Sequence, residues 1–328
     1  MRAYHVYVLN SERNPVVDTR TRPLELITHM YSCLTHKEFN HDIPLVLIAD
    51  TRMVEYFDHW KITRLYDEII VDFFDDYPRE RISHRFWASP KIWASPKIWA
   101  MSKLATPFVI FDTDIVLQKP LREFTDCDLL YLHREFSGPY PNIFDVEGPP
   151  GFVWDEQIAK SFHNSQPMNC AVIGMFNEAL KSDYVTAYFD FVLDSTGELQ
   201  YANQNSHRMT PPNSAQIMIE QWFLAALVEY WRRVGGRPIT TKSFSGVVSC
   251  DDYFMPYDLD LPPGSVDEEL HRTFYHLWGA KNFQNDKDNP YFQQARDIVT
   301  SATRIVENSE FFDLLEEPFN ALIAALHQ

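Results

Sequence analysis

Two carboxylates separated by one residue follow an apolar segment in the middle of the chain. Asp112 and Asp114 come directly after the residues VIF in VIFDTDIVL (109–117). Carboxylate oxygens are ligands that hard divalent cations prefer, and open α/β sheets bind ligands beyond the carboxyl ends of buried strands. A cation held there can bridge a diphosphate and neutralise charge on a leaving group. The alternative is an acidic surface turn, but the apolar segments on both sides favour the cation site.

A second polar segment lies far downstream, in FYHLWGAKN (274–282). The imidazole of His276 can complete the coordination of a cation. Gly279 permits close approach of the backbone to phosphate, and Lys281 adds a positive charge. A hydrogen-bonded core histidine is the alternative for His276, but a ligand-type residue elsewhere in the chain favours the cation site.

Two polar residues interrupt a long apolar helical pattern over 214–231, and Asn213 or Ser214 is a plausible N-cap for it. Glu220 and Gln221 lie at its centre, in IEQWF. Charged side chains are mostly exposed, so a solvated helix face is the simpler interpretation, and a catalytic pair is the other.

Weaker binding candidates occur at the ends of predicted strands. Asn169 opens the apolar segment NCAVIGMF and can bond sugar hydroxyls, although asparagine is equally typical of turns. Asn10 and Arg13 follow the first predicted strand, where nucleotides bind in Rossmann-like folds. No G-x-G-x-x-G occurs, so a dinucleotide cofactor is not expected.

The segment VIFDTDIVLQKPL (109–121) resembles the DxD motif of GT-A glycosyltransferases. HLWGAKN (276–282) resembles the H-x-x-G-x-x-K segment of the glycogenin-like retaining glycosyltransferases, with the lysine one residue early. The resemblance implies transfer of a sugar from a UDP- or GDP-sugar to a hydroxyl of a glycan or other acceptor, with Mn²⁺ or Mg²⁺. The resemblance also implies that Asp112, Asp114 and His276 are the metal ligands. It implies that Thr113, Gly279 and Lys281 contact the donor.

The same resemblance bears on three further residues. It gives Lys97 the place of a basic donor-binding residue, although a solvated helix charge is the favoured interpretation. It places Glu220 and Gln221 near the reacting anomeric carbon. Glu220 would be the general base of an inverting enzyme, or either residue would stabilise oxocarbenium-like charge in a retaining enzyme. Both stereochemical outcomes stay open.

The elements that must position these residues alternate in the first half of the chain. Nearly continuous apolar runs predict buried strands, and helical periodicity predicts the segments between them. The predicted strands are 3–9, 43–49, 67–73 and 107–112, and the helices are 22–36 and 51–60. We expect an α/β fold of the GT-A, Rossmann-like type: a mostly parallel central sheet flanked by helices.

Downstream, a strand at 169–176 and helices at 178–194 and 214–231 are predicted, with a loop at 137–151. The duplicated WASPKI (87–98) offers Ser89 or Ser95 as N-cap, and Ser95 is preferred because Pro96 then lies in the first turn. We expect a catalytic domain over 1–285 with a nucleotide-binding half (1–120) and an acceptor half (121–285). Residues 286–328 should form a C-terminal helical appendage, with its amphipathic pattern interrupted by Pro318.

Composition limits the partners. The net charge of −17 disfavours nucleic acid and anionic membranes. Four cysteines without C-x-x-C spacing indicate neither a zinc ribbon nor a disulfide scaffold, and no segment is long and apolar enough to span a membrane. We therefore expect a soluble, cytoplasmic protein.

Two other functions compete. FDTDIV also fits the D-x-D-x-[TV] pattern of haloacid dehalogenase-type phosphatases, in which the first Asp is the nucleophile. Those enzymes open with this strand near the N-terminus, whereas three strand–helix units precede it here, and SCDDYF (249–254) is a poor later acidic motif. The other alternative is a sugar-nucleotide-binding protein that has lost catalysis.

Overall fold

The computed structural model describes residues 1–8, 23–78, 94–117, 119–134, 167–193, 220–221, 223–233, 236–244, 274–276 and 290–326. The strands are β1 (Arg2–Tyr7), β2 (Leu45–Ala49), β3 (Glu68–Ile70), β4 (Phe108–Phe111), β5 (Ile115–Leu117), β6 (Leu129–Tyr131), β7 (Val172–Met175), β8 (Thr241–Ser243) and β9 (Phe274–His276). The helices are α1 (Pro23–Phe39), α2 (Thr51–His59), α3 (Ala94–Lys103), α4 (Glu178–Leu193), α5 (Phe223–Arg233), α6 (Pro290–Asn308) and α7 (Phe312–Leu326). Short 3₁₀ turns lie at Ile62–Leu65, Asp72–Phe74 and Leu121–Phe124.

These elements form a mixed α/β fold with a mostly parallel central sheet flanked by helices, which confirms the predicted fold class. The chain divides into two compact units. Unit 1 comprises Met1–Asp72, Val109–Glu123 and Met255–Gln328, and unit 2 comprises Phe73–Phe108 and Phe124–Phe254. The division into a catalytic domain and an appendage stays a prediction, as does the loop at 137–151, which lies outside the described residues.

The sheet of unit 1 has the strand order β3-β2-β1-β4. β1, β2 and β3 run parallel, with Ala3 opposite Leu45 and Val46 opposite Glu68. All five residues of β2 are buried, as the continuous apolar run predicts. Because β1, β2 and β3 proceed outward and the chain then returns to β4, the strand order reverses between β1 and β4. Ligands of open α/β sheets bind at such a reversal.

Helix α1 lies at the centre of unit 1, with residues from Pro23 to His36 buried except Glu25. It packs against β2 and β5, and α6 and α7 pack against it as well. Lys37, near its end, lies over the ring of Phe311 at 5.7 Å. The predicted helical segment after residue 286 is thus confirmed for 290–326, and its helices contact α1.

Pro318 lies inside α7 instead of ending it. A proline in a helix interior removes one backbone hydrogen bond, so the helix has to be held by its packing. Leu315, Phe319 and Leu322 supply a buried face at the spacing of an amphipathic helix. In the described part of the chain, no helix is both long enough and apolar enough to cross a bilayer.

Unit 2 contains the strand order β7-β6-β8, in which β6 is antiparallel to β7 and parallel to β8. Leu130 lies opposite Gly174 on β7 and Lys242 on β8. The strand predicted at 169–176 is observed only over Val172–Met175, so it is shorter than predicted at both ends. Helices α3, α4 and α5 accompany these strands, and α3 and α5 each pack against α4.

The preferred N-cap of α3 is wrong, because the helix begins at Ala94 and Ser95 lies inside it. The Ser95 hydroxyl is buried and hydrogen-bonds the hydroxyl of Tyr188 on α4, 2.6 Å away. Pro96 stays in the first turn, where its missing N–H has no intrahelical partner to lose. Packing against α4 therefore uses the serine that local sequence assigns to capping.

Candidate functional site

In unit 1, the carboxylates of the DTD motif lie in a tight turn between β4 and β5. The Asp112 carbonyl accepts a hydrogen bond from the Ile115 N–H at 3.0 Å, which closes the turn. Thr113 and Asp114 are buried, and Asp112 is half-buried. A burial of this kind is unlike the solvated surface turn that is the alternative for an acidic D-x-D.

The strand after this turn pairs with the far end of the chain. β5 and β9 are antiparallel, with His276 opposite Ile115 and Phe274 opposite Leu117. Directly opposed residues of an antiparallel pair have Cα atoms about 4.5–5.5 Å apart. The backbone of His276 therefore lies beside the residue that follows Asp114. The His276 side chain lies outside what the structure describes, so its ligation stays a prediction.

Helix α1 fixes the position of this turn. The Ser32 hydroxyl donates to the Ile115 carbonyl, and the Asn40 side-chain oxygen accepts from the Leu121 N–H at 2.6 Å. Both contacts are buried. One buried hydrogen bond is made to the first residue of β5 and the other to Leu121 beyond its end, so both restrain the strand that follows the turn, as a preformed cation site requires.

A second group in unit 1 has ligand-type side chains. The ligand atoms of His5, His29 and Cys33 all lie within 4.8 Å of one another, and all three residues are buried. The Tyr66 hydroxyl hydrogen-bonds Nδ1 of His5 at 2.6 Å and also Nε2 of His29. One hydroxyl can donate to one imidazole and accept from the other, so this cluster is satisfied without an ion.

The electrostatics of this cluster are those of a neutral core. Burial, with the charges of His29 and His36 next, holds the pKa of His5 well below its usual value. Burial raises the pKa of the Cys33 thiol to about 12 and that of Tyr66 well above its usual value. Each shift favours the uncharged form, as desolvation does. We interpret the cluster as a hydrogen-bonded structural core.

In unit 2, two residues that the sequence placed in separate roles form a buried ion pair. Nζ of Lys97 lies 2.9 Å from Oε1 of Glu220 and donates to the carbonyl of Cys170, also at 2.9 Å. Both side chains are buried. The favoured interpretation of Lys97 as a solvated helix charge is therefore wrong, and Glu220 is not on a solvated face.

The backbone beneath this pair is held by further contacts. Tyr184 of α4 donates its hydroxyl to the Glu220 carbonyl at 3.0 Å, and the Met168 N–H donates to the Gln221 carbonyl at 3.1 Å. Burial, then the charges of Cys170 and Glu220, raises the pKa of Tyr184 well above its usual value, so it stays a donor. Among the described residues, no donor faces the buried Oε1 of Gln221.

Asn169 is buried in the same part of unit 2. Its side-chain oxygen accepts from the Ala171 N–H at 2.9 Å, and its own N–H donates to the His133 carbonyl at 2.8 Å. An oxygen bonded two residues along the chain is typical of an Asx-turn. This contact is the one that the turn interpretation expects, and the substrate-binding role of Asn169 stays a prediction.

The remaining candidates, Asn10, Arg13, Gly279 and Lys281, lie outside the described residues. Sequence reasoning missed the ion pair of Lys97 with Glu220 and the hydrogen bond from Tyr184 to the Glu220 carbonyl. A signal for a buried lysine was present, since Lys97 is followed by Ile98 and Trp99 in a helix with few charges. Its partner lies more than a hundred residues away, and no local pattern identifies it.

No protein family model matches the sequence, and no curated protein matches it. The chain is similar to several solved structures. PaToxG glycosyltransferase is 11% identical over 72% of this chain and 69% of its own, with a TM-score of 0.36. Mouse xyloside xylosyltransferase 1, in its apo form, is 10% identical over 84% and 96%, with a TM-score of 0.39. The galactosyltransferase LgtC, in complex with donor and acceptor sugar analogs, is 9% identical over 67% and 70%, with a TM-score of 0.32.

These three structures are glycosyltransferases.

Proposed function

We propose that this protein is a glycosyltransferase that moves a sugar, a hexose in our proposal, from a UDP- or GDP-sugar to a hydroxyl of a glycan or other acceptor, with Mn²⁺ or Mg²⁺. The observation that carries the proposal is the closed Asp112–Ile115 turn, with His276 paired opposite Ile115. Residues 161 positions apart in the sequence are thereby paired in one two-stranded sheet of unit 1.

The residues of the DTD turn and of the paired strand β9 fit the proposed cation. Two carboxylates supply oxygen ligands and the imidazole supplies nitrogen, and Mn²⁺ accepts both types. We propose Asp112, Asp114 and His276 as the ligands, with Thr113, Gly279 and Lys281 contacting the diphosphate. When bound, the cation neutralises negative charge on the departing nucleoside diphosphate. Asn10 and Arg13 are proposed to bind the nucleoside.

In unit 2 we propose Glu220 and Gln221 as the residues that serve the reacting sugar, and Asn169 as an acceptor contact. The buried carboxylate of Glu220 and the buried carbonyl oxygen of Gln221 support these roles, because fixed negative and dipolar groups stabilise a developing oxocarbenium charge. Glu220 acts as the base if the enzyme inverts the anomeric centre.

The cellular part of the proposal is a cytoplasmic enzyme without nucleic-acid partners. The three described cysteines, Cys33, Cys127 and Cys170, are free, which suits a reducing compartment. The net charge of −17 opposes binding to nucleic acid.

The first prediction tests the carboxylates. Asp112→Asn and Asp114→Asn should each abolish transfer while the fold is retained, because each removes a charged ligand from the cation. Titration calorimetry with UDP and GDP, with Mn²⁺ and with chelator, measures the linkage. Wild type should bind more tightly with Mn²⁺, and the two variants should lose that gain.

Four results would contradict the proposal. Full transfer activity in both variants would show that Asp112 and Asp114 do not hold a catalytic cation. Equal nucleotide affinity with and without Mn²⁺ would show that no cation bridges these carboxylates to the diphosphate. Hydrolysis of simple phosphomonoesters without turnover of any nucleotide-sugar would indicate the phosphatase instead. Binding of nucleotide-sugar without hydrolysis or transfer would indicate the inactive binding protein.

A further inference from the structure

We propose that Lys97 is a positioning residue for Glu220 and does not contact the donor's phosphates. This inference rests on the proposed function, because it concerns the same carboxylate. It differs from the donor-binding role that the family resemblance gives to Lys97, and it follows from which atoms the ammonium contacts.

The ammonium of Lys97 has two defined partners inside unit 2. Nζ lies 2.9 Å from Oε1 of Glu220 and 2.9 Å from the carbonyl oxygen of Cys170. The Cys170 contact is a hydrogen bond and the Glu220 contact is an ion pair, and each of them holds the ammonium inside unit 2. Glu220 is in the π-helical pair Glu220–Gln221 that precedes α5, and Cys170 is in the segment before β7. One side chain of α3 joins these two segments.

Burial makes this arrangement a fixed one. The side chains of Lys97 and Glu220 are 11% and 8% exposed. Moving either charge away from the other would leave it desolvated and uncompensated, which is costly in a protein interior. The carboxylate of Glu220 is therefore held in one orientation by a cation that water cannot readily replace.

The backbone of Glu220 is fixed on its other side. Its carbonyl accepts from Tyr184, and the next carbonyl, that of Gln221, accepts from Met168. Side chain and backbone are thus restrained by different elements. A group that must meet a reacting sugar atom gains rate from such restraint, because a misplacement of about 1 Å costs about 100-fold.

The test compares substitutions in the full-length protein. Lys97→Met keeps the length of the side chain and removes the charge. Lys97→Arg keeps a cation, and Lys103→Met is the matched control, because Lys103 is on the same helix and its partner is the exposed Asp76. We measure kcat and the KM for the nucleotide-sugar, together with calorimetric affinity for UDP or GDP in Mn²⁺.

For Lys97→Met we expect kcat to fall by about 100-fold, with donor KM and nucleoside diphosphate affinity close to wild type. Lys97→Arg should recover part of kcat, and Lys103→Met should match wild type. Lys97→Met combined with Glu220→Gln should be no slower than Glu220→Gln alone, because both changes disable the same group. The double variant also removes both charges, so it should fold even if Lys97→Met alone does not.

Three results would overturn the inference. Loss of nucleoside diphosphate affinity in Lys97→Met, with effects that multiply in the double variant, would assign Lys97 to the donor. An unchanged kcat per folded molecule would make the ion pair purely structural. A wild-type protein that neither transfers from nor hydrolyses any nucleotide-sugar would refute the proposed function and this inference together, and only that result involves the wild type.

Discussion

The buried imidazole of His36 links the stability of unit 1 to pH. Its Nε2 donates to the Ile43 carbonyl at 2.8 Å, and its ring stacks on Phe111. Burial lowers the pKa of His36 to about 4; the Ile43 bond opposes this, Lys37 adds to it, and Asp67 and Asp42 oppose it. The unfolded chain has a histidine pKa near 6.5, so the unfolded state takes up the proton first as pH falls.

The sign of the effect follows from these two values. The stabilisation is fully present above about pH 6.5 and is lost as pH falls towards about 4, by roughly 3 kcal/mol for this group. We expect the free energy of unfolding of His36→Gln to fall less steeply over this window than that of wild type, because glutamine can donate to Ile43 without titrating. Urea unfolding at a series of pH values measures it.

His41 is exposed, so His41→Gln is the matched control. Its free energy of unfolding should keep the wild-type dependence on pH. If His36→Gln also keeps it, the titration of His36 does not contribute to acid unfolding. His5 should act in the same direction in all these proteins, since burial lowers its pKa too.

At the scale of elements, the pairing of β6 with β7 depends on a glycine. Gly174 lies opposite Leu130, and a Cβ at this position would lie 2.9 Å from Cβ of Leu130 and 2.8 Å from the ring of Phe176. Both distances are shorter than real Cβ contacts. We expect Gly174→Ala to destabilise the protein by about 1–3 kcal/mol, because overpacking a buried strand displaces its neighbours.

Gly236→Ala is the comparison within unit 2. Gly236 has a φ of 57° but open space around it, so that change adds only backbone strain. Chemical denaturation of both variants separates the two causes. A Gly174→Ala protein as stable as wild type would show that β7 can move away from Leu130 without cost.

The element pattern was largely predictable from sequence, and the reasons are local. The runs that became β2 and β4 are apolar throughout because both faces are buried, and β1 is buried at its centre, from Ala3 to His5. Ends were less predictable: β3 stops at Ile70, where the chain enters a 3₁₀ turn at Asp72–Phe74. The start of α3 was missed because Ser95 packs against Tyr188, a partner that local rules do not contain.

The candidate site was predictable where residue types are adjacent in sequence and not where they meet by folding. The DTD turn follows from its own strand, since an apolar run must end where polar residues begin. The β5–β9 pairing and the Lys97–Glu220 ion pair join residues more than a hundred positions apart. Such contacts depend on tertiary packing, which the spacing of residues along one segment does not encode.

At the scale of the whole molecule, the C-terminal helices are part of unit 1 and not a detached segment. α6 and α7 both pack against α1, the helix that also anchors β5. Because α1 is buried along almost its whole length, these two helices cover a face that would otherwise meet water. The C-terminal helical segment, which the sequence predicts to be an appendage, thus contributes directly to the stability of the unit that carries the DTD turn.

Adjacent leucines of α7 provide the test. Leu315 is fully buried, whereas Leu314 is 37% exposed, so the same substitution can be made on the two sides of one helix. We expect Leu315→Ala to lower the free energy of unfolding by about 2–5 kcal/mol, through lost burial and the cavity that remains. Leu314→Ala should change it by about 0.5 kcal/mol or less, as surface substitutions do. Urea unfolding followed by circular dichroism measures both.

Equal effects would mean that α7 is not held against unit 1 through its Leu315 face. A large effect of Leu315→Ala, accompanied by weaker Mn²⁺-dependent binding of UDP or GDP near the midpoint of unfolding, would show that the C-terminal helices stabilise the cation-binding turn through α1.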